Sequence, residues 1–225
     1  MNFKFKVETD HPGAFESKDH LEPVGSINDN YTNLELLKEV CKYFGEEISI
    51  LDLGCAGGQF VSDFVEYGNI GVGLEGSSNV LNGPGRKNWL NEEQNLFLCD
   101  ITKPFKIKYS DLYKFNFIHC SEVMEHINEN DLDVFLSNVY NHLSDDGVFC
   151  TQISIDDKDP LHVSVFNKEK WIDILLKNNF VPCDGLNNSH HIGYIFNTRF
   201  RDHIVMNSDG SINYGTSLYF CLKKL

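Results

Sequence analysis

Short apolar runs at residues 48–53, 70–74, 96–99, 115–120 and 148–155 alternate with longer amphipathic segments, and that alternation restricts the fold more than any other feature. Each run is too short for a buried helix and is rich in Ile, Leu, Val and Phe, the pattern of a strand covered on both faces. Over 34–43, Leu36, Leu37, Val40 and Tyr43 recur at helical spacing behind Asn33, a residue suited to cap the first turn. Phe60, Phe64 and Val65 mark a second helix behind a run of glycines. Val134, Leu136, Val139, Tyr140 and Leu143 mark a third that stops near Gly147, and Trp171, Ile174 and Leu175 mark a fourth over 168–178. Residues 181–183 and 217–222 read as two last strands, separated by a polar stretch rich in Asn, His and Ser. Parallel strands joined through helices use right-handed crossovers, so the pattern predicts a doubly wound α/β fold with helices on both faces of a mostly parallel sheet.

A chain of 225 residues is long enough for one domain with decorations. Residues 1–32, which include HPG and EPVGS, show no periodicity and are expected to form an arm or lid over the sheet's active edge. Residues 33–225 form the main domain, with an insertion at about 185–215. The balance of 19 Lys and Arg against 33 Asp and Glu gives a net charge of −14, and such a surface repels phosphate backbones and anionic lipid. Nucleic acid and membrane surfaces are therefore not expected as partners. MNFKFKVETD is not a signal peptide, and no stretch reaches the roughly 18 apolar residues of a membrane span, so a cytoplasmic location is expected. Seven scattered cysteines lack CxxC or CxxxH spacing, which argues against a disulfide framework and a zinc site; they are expected to be small core residues.

Ligands of such sheets bind beyond the carboxyl ends of the strands, and here those ends carry the polar residues. Asp52 to Gly58 follows the first run, Glu75 the second, Asp100 the third, His119 to Glu122 the fourth, and Ile155 to Asp157 the fifth. In DLGCAGG, the small residues Gly54, Ala56, Gly57 and Gly58 permit a tight turn whose N–H groups face a ligand at the start of the next helix. The glycines fall as GCAGG and not as GxGxxG, and Asp52 would repel a pyrophosphate while suiting a cationic ligand. Glu75 lies where a carboxylate can accept from both hydroxyls of a ribose, and Asp100 can accept from an adenine amino group.

The segments ILDLGCAGGQF, VGLEGS, LFLCDITKPF, FNFIHCSEVMEHI and HLSDDGVF resemble, in order and spacing, the successive motifs of class I S-adenosylmethionine-dependent methyltransferases. The resemblance spans roughly residues 33–180. It implies a seven-stranded sheet with an antiparallel last strand, methyltransferase activity and S-adenosylmethionine as cofactor. Gly54, Ala56 and Gly58 match the family's three glycine positions, with a methyl group added at the middle one. By the same carry-over Asp52 lies near the methionine end, Glu75 with Gly76 binds ribose, Asp100 with Ile101 binds adenine, and the backbone at His119 and Cys120 accepts from the methionine amino group.

Methyl transfer is an in-line displacement, and a hydroxyl acceptor also needs a base. His162, in DDKDPLHVSVF, is the first candidate because imidazole is largely neutral near pH 7; Glu122 and His126, in SEVMEHI, are the second. Asp156 and Asp157 pair as a possible Mg²⁺ site but lack a third ligand, so they read as a turn and no metal is expected. The loop after the fourth strand carries HCSE and lacks the (Asn/Asp)-Pro-Pro-aromatic tetrapeptide of adenine-methylating enzymes. DHLEPVGSINDN, VGLEGS with RKNW, and the later HV resemble small methyltransferases of bacterial surface-polysaccharide and sugar modification. That resemblance implies a sugar or sugar-nucleotide hydroxyl as acceptor, with His20, Arg199, Arg201 and His203 on the acceptor side, the arginines suiting a diphosphate. Methylation of an amine, carboxylate or phosphate-type oxygen, a nicotinamide-dependent oxidoreductase and a noncatalytic binding module remain as alternatives. Nothing in the chain sets an oligomeric state.

Overall fold

The computed structural model describes residues 4–15, 17, 20, 29–45, 47–91, 95–183, 201–206 and 212–225, with the backbone alone at 201–206 and 212–216. In chain order the elements are β1 (Lys6–Glu8), α1 (Leu34–Phe44), β2 (Ser49–Leu53), α2 (Gln59–Glu66), β3 (Ile70–Glu75), α3 (Arg86–Trp89), β4 (Leu96–Leu98), β5 (Lys106–Lys108), β6 (Phe115–Ser121), α4 (Leu132–His142), β7 (Leu143–Ser154), α5 (Lys168–Lys177), β8 (Phe180–Pro182), β9 (Arg201–Met206) and β10 (Ile212–Lys224). Short 3-10 turns at Ser78–Asn82, Met124–His126 and Glu129–Asp131 link them.

The main sheet runs β4-β3-β2-β6-β7-β10-β8. β4, β3, β2, β6 and β7 are parallel neighbours, while β10 is antiparallel to both β7 and β8. This is the doubly wound, mostly parallel seven-stranded sheet with an antiparallel last strand that was expected. β9 is an additional strand, antiparallel to β10 off that path. The chain enters the sheet at β2, builds outward through β3 and β4, and returns to β6 on the other side. The order reverses between β2 and β6, which is where ligands of open α/β sheets bind.

Alternation along each strand explains why helices cover both faces. Leu51, Leu53, Ile118, Phe149 and Ile153 pack with Phe135, Leu136 and Val139 of α4 and Trp171 of α5. Their neighbours Ile50, Phe117, Val148 and Cys150 point the other way, onto Leu37 and Val40 of α1 and Phe60, Val61 and Phe64 of α2. Each such large side chain, fully withdrawn from water, contributes about 1.5–3 kcal/mol. Asn33 caps α1 as expected, its Oδ1 accepting from Leu36 N at 3.0 Å. None of the seven cysteines is in a disulfide.

Three expectations need adjustment. α4 ends at His142, not near Gly147, because the chain turns to extended geometry at Leu143 and β7 begins there. The weakly periodic stretch after β3 forms a 3-10 turn and the four-residue α3. Residues 6–8 are a strand, β1, antiparallel to β5, which no periodicity announced. It is held by Phe5, whose ring meets Tyr113 edge-on at 4.9 Å.

His142 links this small sheet to α4. Its Nδ1–H donates to Asn138 O at 2.8 Å and its Nε2 accepts from Ile107 N at 3.0 Å. Burial pulls its pKa down from 6.5 to about 4. A depressed pKa means that the stability it contributes is present above pH 6.5 and is lost as pH falls toward 4, by about 1–3 kcal/mol. His142→Gln keeps a donor and an acceptor without the titration. Thermal melts between pH 7 and 4 should fall more steeply for the wild type than for this variant; parallel curves would refute the assignment.

Candidate active site

Strand register builds the centre of the site. Asp52 on β2 and His119 on β6 are direct partners across the parallel pair. His119 Nδ1 and Asp52 Oδ1 are 2.8 Å apart, and the phenol of Tyr31 lies 3.2 Å from the same nitrogen. Tyr31 also stacks on Phe60 at 5.8 Å. Asp52 is 1% exposed, yet its Oδ2 has no hydrogen-bond partner. A buried carboxylate oxygen without a donor is costly, so the position suits a ligand that brings a cationic N–H. An S-adenosylmethionine ammonium meets that requirement.

The loop after β2 curls through three left-handed residues at alternate positions, Gly54 at φ 76°, Ala56 at 44° and Gly58 at 76°. A Cβ at Gly54 would run into Val123, so glycine is required there for space as well as for φ. Ala56 is more than a harmless methyl group, since an L-residue in this region costs about 1–2 kcal/mol. The cost is offset by bonds that hold the loop. Gly54 N and Cys55 N both donate to Leu74 O, Ala56 N donates to Glu75 Oε2 at 3.0 Å, and Trp89 Nε1 donates to Ala56 O at 3.0 Å. Asn88 Nδ2 donates to Gly57 O at 3.0 Å.

Glu75 is 3% exposed, and its second oxygen accepts from Ser77 N at 2.8 Å. Cys99 N donates to Glu75 O, which brings the end of β4 beside the end of β3. Asp100 follows at once, its Oδ1 held by Thr102 N at 2.9 Å and Thr102 Oγ1 at 2.6 Å. Ile101 is buried and its carbonyl accepts from Asn138 Nδ2 at 3.1 Å. The residues expected around adenosine thus stand at adjoining strand ends.

Residues of the first thirty-two reach this edge. Asp29 O accepts from Gly57 N and Asn30 Oδ1 from Gln59 N, where α2 has no other side-chain cap. His11 O accepts from Asp100 N, and Ala14 N donates to Gly76 O. His20, expected on the acceptor side, stands instead against Gly76 with Nε2 3.7 Å from Glu75 Oε1. Its Nδ1–H donates to Ala14 O at 2.8 Å.

Beyond β6 and β7 lies a second group. Glu122 is left-handed at φ 54°; its N donates to Gln152 O, and its Oε1 accepts from Gln152 Nε2 and from Ser217 Oγ at 3.1 Å. A carboxylate residue held in that conformation at a strand end is characteristic of functional sites. Glu125 is 0% exposed and its Oε1 accepts from Ser154 N at 2.9 Å. Burial first, and the charge of Glu122 second, push its carboxyl up to about 9. Cys120, buried between the charges of Glu125 and Asp52, has its thiol pushed well above the usual range, mainly by burial. His126 Nδ1–H donates to Leu161 O at 3.3 Å and His162 Nδ1–H to Asp156 O at 2.7 Å, with the two rings edge-to-face at 4.9 Å.

His126 and His162 thus stand side by side, while Glu122 is turned to Gln152 and Ser217 and lies near Glu125. Glu125, which was not among the candidates, joins the two histidines. Asp156 closes a turn, its Oδ1 accepting from Lys158 N at 3.0 Å. Arg199 lies outside the described residues. Arg201 and His203 lie on β9, with Arg201 opposite Tyr219 of β10. Tyr31, Asn30, Asn88 and Trp89 were not singled out; the aromatic in RKNW was the one visible signal.

A methyltransferase domain family model matches residues 27–184 of this chain. A search of curated proteins finds no match. Solved structures share the fold at low identity. An S-adenosylmethionine-dependent methyltransferase from Clostridium acetobutylicum is 14% identical, with 84% of this chain and 89% of that one covered and a TM-score of 0.56. The glycopeptide N-methyltransferase MtfA complexed with S-adenosylmethionine is 13% identical, with 84% and 87% covered and a TM-score of 0.51. The 1,6-didemethyltoxoflavin-N1-methyltransferase of Burkholderia thailandensis, bound to its substrate and S-adenosylhomocysteine, is 13% identical, with 84% and 76% covered and a TM-score of 0.56. With a family match covering more than two thirds of its length, the chain belongs to the methyltransferase domain family, as a class I enzyme that takes its methyl group from S-adenosylmethionine.

Proposed function

We propose that this enzyme methylates a hydroxyl of a small molecule, a sugar or sugar nucleotide, in the cytoplasm. The observation that carries the reading is the cluster of His162, His126 and Glu125 beyond β6 and β7. A nitrogen acceptor that is already neutral, such as an aromatic ring nitrogen, needs no such group, whereas a hydroxyl must shed its proton at or before transfer. With Nδ1–H committed to Asp156 O, the lone pair of His162 is on Nε2, the atom that a proton or another Lewis acid would meet.

In this reading Asp52 Oδ2 takes the methionine ammonium, the backbone at His119 and Cys120 supports the same end, and Gly54, Ala56 and Gly58 form the floor. Glu75 with Gly76 takes the ribose hydroxyls and Asp100 with Ile101 the adenine. The ribose then displaces the His20 ring from Glu75, and residues 1–32 serve as the arm or lid over this edge. The 185–215 insertion, with Arg199, Arg201 and His203, serves the acceptor side, where guanidinium groups suit a diphosphate. A second reading, methylation of nitrogen, draws support from MtfA and the toxoflavin enzyme, both of which are N-methyltransferases.

Isothermal titration with S-adenosylhomocysteine tests the cofactor assignments. Asp100→Ala and Asp52→Asn should each weaken binding by about tenfold or more, the loss of a hydrogen bond to a charged group; wild-type affinity in both would remove these residues from the site. Transfer of labelled methyl from S-adenosylmethionine to a panel of sugar nucleotides, hydroxy compounds and amines, read by mass spectrometry, identifies the acceptor atom. For a hydroxyl acceptor, His162→Ala should lower kcat by about 10²- to 10⁴-fold with S-adenosylhomocysteine affinity within about twofold. An unchanged kcat would favour nitrogen.

A further inference from the structure

We propose that Glu125, His126 and His162 form a site for one divalent first-row transition-metal ion, such as Zn²⁺ or Mn²⁺, with Glu122 at its rim. The inference rests on the hydroxyl-methylation reading for its purpose, but its geometry stands alone. One ligand atom from each of the three residues lies within 4.8 Å of the others. Metal bonds of about 2.0–2.2 Å place two ligand atoms no more than about 4.4 Å apart, so the set needs to draw in by some tenths of an ångström.

Three features distinguish this group from an ordinary buried polar cluster. Glu125 Oε2 is buried with no hydrogen-bond partner, although two histidines stand beside it. Each imidazole spends its Nδ1–H on a main-chain carbonyl, Leu161 O for His126 and Asp156 O for His162. That puts the lone pair on Nε2, the outer-shell arrangement that orients metal-binding histidines; Nε2 of His162 also stands 3.7 Å from Asp159 Oδ2, a half-exposed carboxylate. Finally, the two loops carrying the ligands are tied together, since Val163 N and Ser164 N both donate to Glu125 O, at 2.9 and 3.0 Å, and Ser164 Oγ donates to Ile127 O.

Two imidazoles and one or two carboxylates favour a borderline ion over Ca²⁺ or Mg²⁺, which prefer all-oxygen sets. Such a ligand set leaves coordination positions for an acceptor hydroxyl. The bound hydroxyl is acidified by the ion and passes its proton to Glu122. Its oxygen then bonds to the sulfonium methyl carbon as the carbon–sulfur bond breaks, and that electron pair stays on sulfur to give S-adenosylhomocysteine.

The test is titration of Zn²⁺, Mn²⁺ and Mg²⁺ into chelator-stripped full-length protein, with S-adenosylhomocysteine titrated separately. Wild type should take up one equivalent of Zn²⁺ or Mn²⁺, and His126→Ala, His162→Ala and Glu125→Gln should each lose at least about tenfold in affinity. S-adenosylhomocysteine affinity should stay within about twofold in every folded variant. Should Glu125→Gln fail to fold, the two histidine variants decide. The proposal is overturned if stripped wild type binds S-adenosylhomocysteine but takes up no more Zn²⁺ or Mn²⁺ than the double histidine variant, or if Mg²⁺ binds as tightly as either. Metal uptake without S-adenosylhomocysteine binding would uphold the metal site and defeat the methyltransferase reading.

Discussion

The carboxylate of Glu75 holds the ligand edge together. One oxygen fastens the glycine loop after β2 through Ala56 N, and the other fastens the turn after β3 through Ser77 N. Without a buried acceptor at the end of β3, the left-handed Ala56 would lose the bond that helps offset its backbone cost. The residue that sequence reading assigns to a ligand thus also serves as the clamp that shapes the site. The two uses are compatible, because each carboxylate oxygen has two lone pairs.

A second constraint is electrostatic. Parallel strands bring Asp52, Glu75, Asp100, Glu122 and Glu125 toward one edge of a protein already at −14. Concentrated negative charge is unfavourable unless a cation or a set of donors answers it. Asp100 is answered by Thr102, and Glu75 by backbone N–H groups. Asp52 and Glu125 each keep one buried oxygen without a partner. Those two oxygens mark where the folded chain is incomplete, one suited to an ammonium and one, in the proposal above, to a metal ion, and the Cys120 thiol feels both acids.

Much of this was legible in residue order. The strand ends were readable because buried strands are continuous apolar runs that stop where water begins, so Asp52, Glu75 and Asp100 could be located by where hydrophobicity ended. His162 and His126 could be named as candidates but not joined, since they lie 36 positions apart on separate loops. Their pairing with Glu125 depends on the loops after β6 and β7 folding against each other through the Glu125 carbonyl. Asp156 and Asp157, adjacent in sequence, were the one pair weighed for a metal ion, and they read as a turn. Adjacent residues on a turn diverge, and Asp156 spends its side chain on Lys158 N.

The sequence by itself determined the layered α/β architecture, the edge where ligands bind and the acids at the first three strand ends, because period and composition act locally and each is written in consecutive residues. Only the tertiary structure decided that His20 rests on Glu75, that Ala56 is left-handed, that Tyr31 reaches His119, and that Glu125 meets two histidines. Those relations are distances between segments far apart in the chain, and they are set by strand register and loop packing, neither of which leaves a periodic trace.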